Sequence, residues 1–88
     1  MKLNIIEEEP KNFIVEFIDA DRGIPELVRE KLAEKKDVEY AGVVKEHPEV
    51  GNPKLIIKSR RNAKQLFVKA LKEVEDDIEE IISQMPKK

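Results

Sequence analysis

Apolar residues along this chain alternate as in strands, then recur at helical intervals, and the whole cycle runs twice. Leu3, Ile5 and Ile6 predict a first strand, closed by the polar stretch Glu7-Glu8-Glu9-Pro10-Lys11-Asn12. Phe13, Val15 and Phe17 alternate with Ile14, Glu16 and Ile18, which predicts a second strand, and the short break at Pro10 makes the two a hairpin. Asp19, Asp21 and Gly23 are turn and cap residues. Pro25 suits a first helical turn, where its missing N–H would have no partner in any case. Ile24, Leu27, Val28 and Leu32 then form one apolar stripe on a short helix that ends at Lys35-Lys36-Asp37.

The second cycle begins with Val38 to Glu46. Val38, Tyr40, Gly42 and Val44 are expected on one face of a third strand, Ala41 and Val43 on the other. His47-Pro48-Glu49-Val50-Gly51-Asn52-Pro53 reads as a loop. Leu55, Ile56 and Ile57 predict a short fourth strand. Asn62 with Gln65 resembles a capping box. A long helix follows, with Ala63, Leu66, Phe67, Ala70, Leu71, Val74, Ile78, Ile81, Ile82 and Met85 at intervals of three and four until Pro86. The order β-β-α-β-β-α predicts an α+β domain, residues 1–88, with a four-stranded, mostly antiparallel sheet and two helices on one face.

The last helix is too long for that sheet. About 23 residues of helix span roughly 35 Å, and strands of about six residues span roughly 20 Å. Its final turns, with Ile78, Ile81, Ile82 and Met85, are expected either to project past the sheet as an exposed apolar patch, the usual mark of an interaction site, or to fold back on the first helix. Its charge also runs against the helix dipole: Lys64, Lys69 and Lys72 come first, then Glu73, Glu75, Asp76, Asp77, Glu79 and Glu80. Lys69–Glu73 and Lys72–Asp76 are spaced to pair at i,i+4. Such a face is either a solvated surface or one that meets a basic partner.

Composition narrows the function. An 88-residue chain buries only about 60% of its unfolded surface, so its own core is marginal. With no cysteine, disulfides and thiolate metal sites are excluded, which leaves a partner as the reinforcement. Lys+Arg 17 against Asp+Glu 19 gives a net charge of −2, unlike a general nucleic-acid or membrane binder. No apolar run reaches the roughly 18 residues of a membrane span, and Met1-Lys2-Leu3 opens no signal peptide, so a cytoplasmic protein is expected. His47 has neither a nucleophile nor companion ligands nearby in sequence; no catalytic group, metal or cofactor is expected. The cations Lys58, Arg60, Arg61 and Lys64 ahead of the long helix offer an alternative, a small RNA-binding domain, though without interleaved aromatic residues.

Four stretches together resemble the archaeal RNA polymerase subunit L family, small dimerisation subunits related to the dimerisation domain of the bacterial polymerase alpha subunit. Asp21-Arg22-Gly23-Ile24-Pro25-Glu26-Leu27-Val28-Arg29 is similar to the family signature Asp-His-Thr-Leu-Gly/Pro-Asn-Leu-Leu-Arg at its acid, apolar positions and arginine, with Arg22, Gly23 and Glu26 as departures. Val38-Glu39-Tyr40-Ala41-Gly42-Val43 is a strand of the family's type. His47-Pro48, followed by Pro53 and Leu55-Ile56-Ile57-Lys58-Ser59, is the third stretch, and the long closing helix is the fourth.

The resemblance implies Asp21, Pro25, Arg29, His47 and Pro48 as signature positions. It also implies a non-catalytic member of a nucleotidyltransferase complex. Such a member would pair with the larger D subunit of the RNA polymerase through helix–helix packing, and the pair would be a platform for the large catalytic subunits. No membrane contact and no sequence-specific DNA binding are implied. The residues expected to serve that interface or the core beneath it are Ile24, Leu27, Val28 and Leu32 with Phe67, Leu71, Val74 and Ile78.

Overall fold

A computed structural model describes residues 2–21, 23–45 and 51–84. Two strands, β1 (Lys2–Glu8) and β2 (Asn12–Ile18), form the first hairpin, followed by helix α1 (Gly23–Ala33). Strands β3 (Val38–Val44) and β4 (Lys54–Ser59) precede helix α2 (Ala63–Gln84). The sheet is antiparallel throughout, in the order β1-β2-β4-β3, so the two hairpins join through β2 and β4. Both helices cover one face, as an α+β domain of this element order requires.

The core follows from the period-2 pattern of the central strands. Phe13, Val15 and Phe17 of β2 and Leu55 and Ile57 of β4 are buried beneath the helices. Pro25, Val28 and Leu32 of α1 and Ala63, Phe67, Ala70 and Val74 of α2 close over them. The Phe67 ring lies 5.3 Å from that of Phe13 and 6.0 Å from that of Phe17, in tilted and edge-on arrangements favourable to aromatic quadrupoles.

Strict alternation fails at both sheet edges. Ile5 pairs with Val15 and Glu7 with Ile14, so Ile6 is an extra residue in a β-bulge. A second irregularity lies between Val38 and Tyr40. It moves Val38 onto the helix-covered face, opposite Ser59, where it packs on the core with Ala41 and Val43, rather than beside Tyr40 as alternation predicts. Bulges that bend exposed edges hinder pairing with another chain. On the open face the Tyr40 ring folds across Gly42, so close that a Cβ there would lie 2.2 Å from its hydroxyl oxygen. Strand β1 is exposed along its whole length, including Leu3 and Ile5 on the helix side, because neither helix reaches over it.

The start of α2 is capped from a distance. Asn62 has a left-handed backbone (φ 51°), and its side chain makes no hydrogen bond among the described residues, so the expected capping box is not formed. Instead the Ala63 N–H donates to the Pro10 carbonyl of the first hairpin (3.0 Å), and the Leu66 N–H donates to the Asn62 carbonyl. The helix therefore begins where the hairpin turn places an acceptor.

Candidate functional site

The eight helix residues expected to serve the core or a partner fall into three groups. Val28, Leu32, Phe67 and Val74 are buried in the chain's own core, and of these only Val74 reaches the floor of a groove between the helices. Ile24, Leu71 and Ile78 are half-buried at the margin of that core. Leu27 alone is exposed, at 42%. The physical reason is the direction of the α1 stripe. Its inner line is Pro25, Val28 and Leu32, which turns Leu27 outward and makes Pro25 a core residue that its role as a helix starter does not announce.

Two further residues belong with Leu27. From Glu79 to Gln84 every residue of α2 is exposed, and within that stretch Ile81 and Ile82 stand 59% and 61% exposed. Ile78, expected in the projecting patch, is instead half-buried against the core, and only beyond it is every described residue of α2 exposed; Met85 lies outside the described residues. Leu27, Val74, Ile78 and Ile81 form the apolar part of a groove of about 240 Å³ between the helices, with Glu30, Lys31, Glu34 and Asp77 on its margins. The signal for Ile81 and Ile82 is length rather than periodicity, because periodicity runs on without marking where the sheet stops.

Two ion pairs fix how α1 lies against α2. The Lys31 ammonium meets Asp77 at 2.9 Å, and Lys35 hydrogen-bonds Glu73. That hydrogen bond holds the Glu73 carboxyl below its ordinary range; the one to Asp77 holds Lys31 above its own. These cross-helix contacts replace the expected pairs within α2: among the described residues neither Lys69–Glu73 nor Lys72–Asp76 forms a salt bridge. Lys31 on α1 and Lys35 just past it thus reach across to acids of α2, and Lys31 and Asp77 both line the groove.

The signature positions that can be described surround the start of α1. Asp21 accepts the Gly23 N–H on its carboxylate (2.8 Å) and the Ile24 N–H on its carbonyl (3.1 Å), satisfying donors that a helix start leaves open. Pro25 is buried, and Arg29 pairs with Glu26 at 2.9 Å on the helix surface. Arg22, His47 and Pro48 lie outside the described residues.

The basic turn is partly neutralised. Arg61 lies 3.8 Å from Asp37 and Lys64 3.1 Å from Glu8, which leaves Lys58 and Arg60 as its unpaired cations among the described residues. Among the same residues no group of three or more His, Asp or Glu is placed to hold a metal ion, and no helix is long and apolar enough to cross a membrane.

The profile of the RNA polymerase Rpb3/Rpb11 dimerisation domain matches residues 12–84, from the start of β2 to the end of α2. The chain belongs to this family. It is 33% identical over 85 residues to the DNA-directed RNA polymerase subunit Rpo11 of Methanococcus maripaludis strain C6, covering 84% of this chain and 88% of that protein. The corresponding subunit of strain C5 is 32% identical with the same coverage. The crystal structure of DNA-directed RNA polymerase subunit L from Thermoplasma acidophilum superposes with a TM-score of 0.80, at 20% identity, over 94% of this chain and 83% of that one. That likeness establishes the four-stranded sheet with two helices as the fold of this RNA polymerase dimerisation domain. Residues 12–84, matched by the family, contain the whole groove between α1 and α2 and leave out β1.

Proposed function

We propose that this chain is the smaller half of a heterodimer with the larger D subunit of an archaeal RNA polymerase. The pair then serves in the cytoplasm as the platform on which the large catalytic subunits assemble. The chain itself contributes no catalytic group; its work is to present a surface. The observation that carries this reading is the apolar end of the helical layer, where Leu27, Ile81 and Ile82 are open to water in a chain of the dimerisation-domain family. An isolated domain gains nothing from such exposure, whereas a partner helix laid along the groove removes it from water.

Burial of about 1,500 Å² or more in a permanent interface would stabilise a domain whose own core is small. The half-buried Ile24, Leu71 and Ile78 then form the boundary between core and interface, and the buried Val28, Leu32, Phe67 and Val74 support it from beneath. Co-expression with the D subunit and sizing of the product tests the reading. The wild-type chain should elute with this partner as a one-to-one complex, and Leu27→Asp or Ile81→Asp should elute alone while remaining folded. A partner retained by both variants, or not retained by the wild type, would refute the assignment.

A further inference from the structure

The open end of α2 is acidic as well as apolar. Between Glu73 and Ile82 there are six acidic residues and no basic one, in a chain whose net charge is only −2. Two of the six are already neutralised from α1, Glu73 by Lys35 and Asp77 by Lys31. The other four, Glu75, Asp76, Glu79 and Glu80, are exposed and form no salt bridge among the described residues. They lie in the C-terminal half of α2, far from its N-terminus, where the helix dipole would reward negative charge. The helix that carries them therefore gains no dipole stabilisation from their placement. Solubility alone would be served by charges of either sign, and the rest of the chain mixes both.

The apolar residues border these acids. Ile78 lies in sequence between Asp77 and Glu79, Ile81 and Ile82 follow Glu80 directly, and Ile81 lines the groove with Leu27, whose neighbouring wall carries Glu30 and Glu34. Any surface that buries Ile81 and Ile82 brings its own margin close to several carboxylates. An apolar or acidic margin would strip water from these charges without compensation, whereas lysine and arginine would meet them.

Resting on the reading of the groove as the heterodimer interface, we propose that the docking surface of the partner is basic. Its lysines and arginines flank an apolar centre, and Glu75, Asp76, Glu79 and Glu80 draw it in from solution. The isoleucines hold the docked complex, while the acids govern how fast it forms. Charges at a margin act over about 8 Å at physiological salt, so their influence falls largely on encounter.

Association of the purified chain with the purified D subunit, followed by stopped-flow at a series of salt concentrations, tests this directly. The expected wild-type on-rate falls steeply as salt rises. The quadruple variant Glu75→Gln, Asp76→Asn, Glu79→Gln, Glu80→Gln should associate about tenfold more slowly at low salt, with a flattened salt dependence and an off-rate within about threefold of wild type. Ile81→Ala should show the converse, a faster off-rate with an unchanged salt slope. Loss of the acids should leave thermal stability unchanged or raised, which separates a weaker encounter from a damaged fold. A wild-type on-rate indifferent to salt, or a quadruple variant that associates as fast as wild type, overturns the inference and leaves the pairing intact. Failure of the wild type to bind this partner at any salt overturns the pairing, and the inference with it.

Discussion

Trimming Ile81 and Ile82 to alanine separates the contribution of the helix end to pairing from its contribution to folding. Each replacement removes three side-chain carbons, worth about 0.8 kcal/mol apiece when fully withdrawn from water. In the isolated chain the two residues keep 59% and 61% of their surface exposed, so most of that gain is still to be made on docking. Roughly 1.5 kcal/mol each, about 3 kcal/mol together, is then lost from the complex, which weakens the dissociation constant roughly a hundredfold. The isolated fold should scarcely respond. Exposed substitutions usually fall within about 0.5 kcal/mol, and alanine is the better helix former. Titration calorimetry against the D subunit gives the first quantity and thermal unfolding of the chain alone the second. An affinity within about threefold of wild type in a folded variant would show that this helix end is not the interface and would refute the reasoning.

Phe67→Ala should do the opposite, because its ring is the link between Phe13 and Phe17. A loss of about 3–5 kcal/mol is expected, against a total of about 5–15 kcal/mol for a domain, so chemical denaturation should show a large fall in midpoint or outright unfolding. The Lys35 hydrogen bond holds the Glu73 carboxyl below its ordinary 4.5, so the stability it contributes is present above that value and is lost as pH falls through the lowered one. Glu73→Gln should therefore be less stable than wild type near neutrality and converge with it in acid, as melting curves between about pH 7 and about pH 3 would reveal; parallel curves would deny the pair any role. Gly42→Ala should push the Tyr40 ring off the sheet at a cost below about 1 kcal/mol, since the flexible tip of an exposed side chain has to move. With one tyrosine and no tryptophan, the change in intrinsic fluorescence reports Tyr40 alone.

Much of the fold was legible because hydrophobic period is a local property. Phe13, Val15 and Phe17 declared a half-buried strand, and Ala63, Phe67, Ala70 and Val74 a helix face, without reference to anything distant. What was not legible depends on three-dimensional context. A bulge beside Val38 reverses the face on which it sits, and no residue type at Glu39 announces it. Asn62 lies just ahead of α2, but a positive φ and the nearby Pro10 carbonyl decide how the helix is capped. Leu27 and Val28 are adjacent in one apolar stripe, yet one is open and the other sealed, because the angle at which α1 lies on the sheet decides between them. The candidate site was legible only through length: a helix longer than its sheet must have an uncovered end.

That uncovered end is the centre of the account, and hydrogen exchange followed by mass spectrometry measures it residue range by residue range. On adding the D subunit, backbone amides in the last turns of α2, from Glu75 to Gln84, and those around Leu27 should become much slower to exchange. Amides between Ala63 and Val74, already sheltered by the sheet, should change little. Unaltered exchange from Glu75 to Gln84 in a complex that has demonstrably formed would place the partner elsewhere and contradict the account.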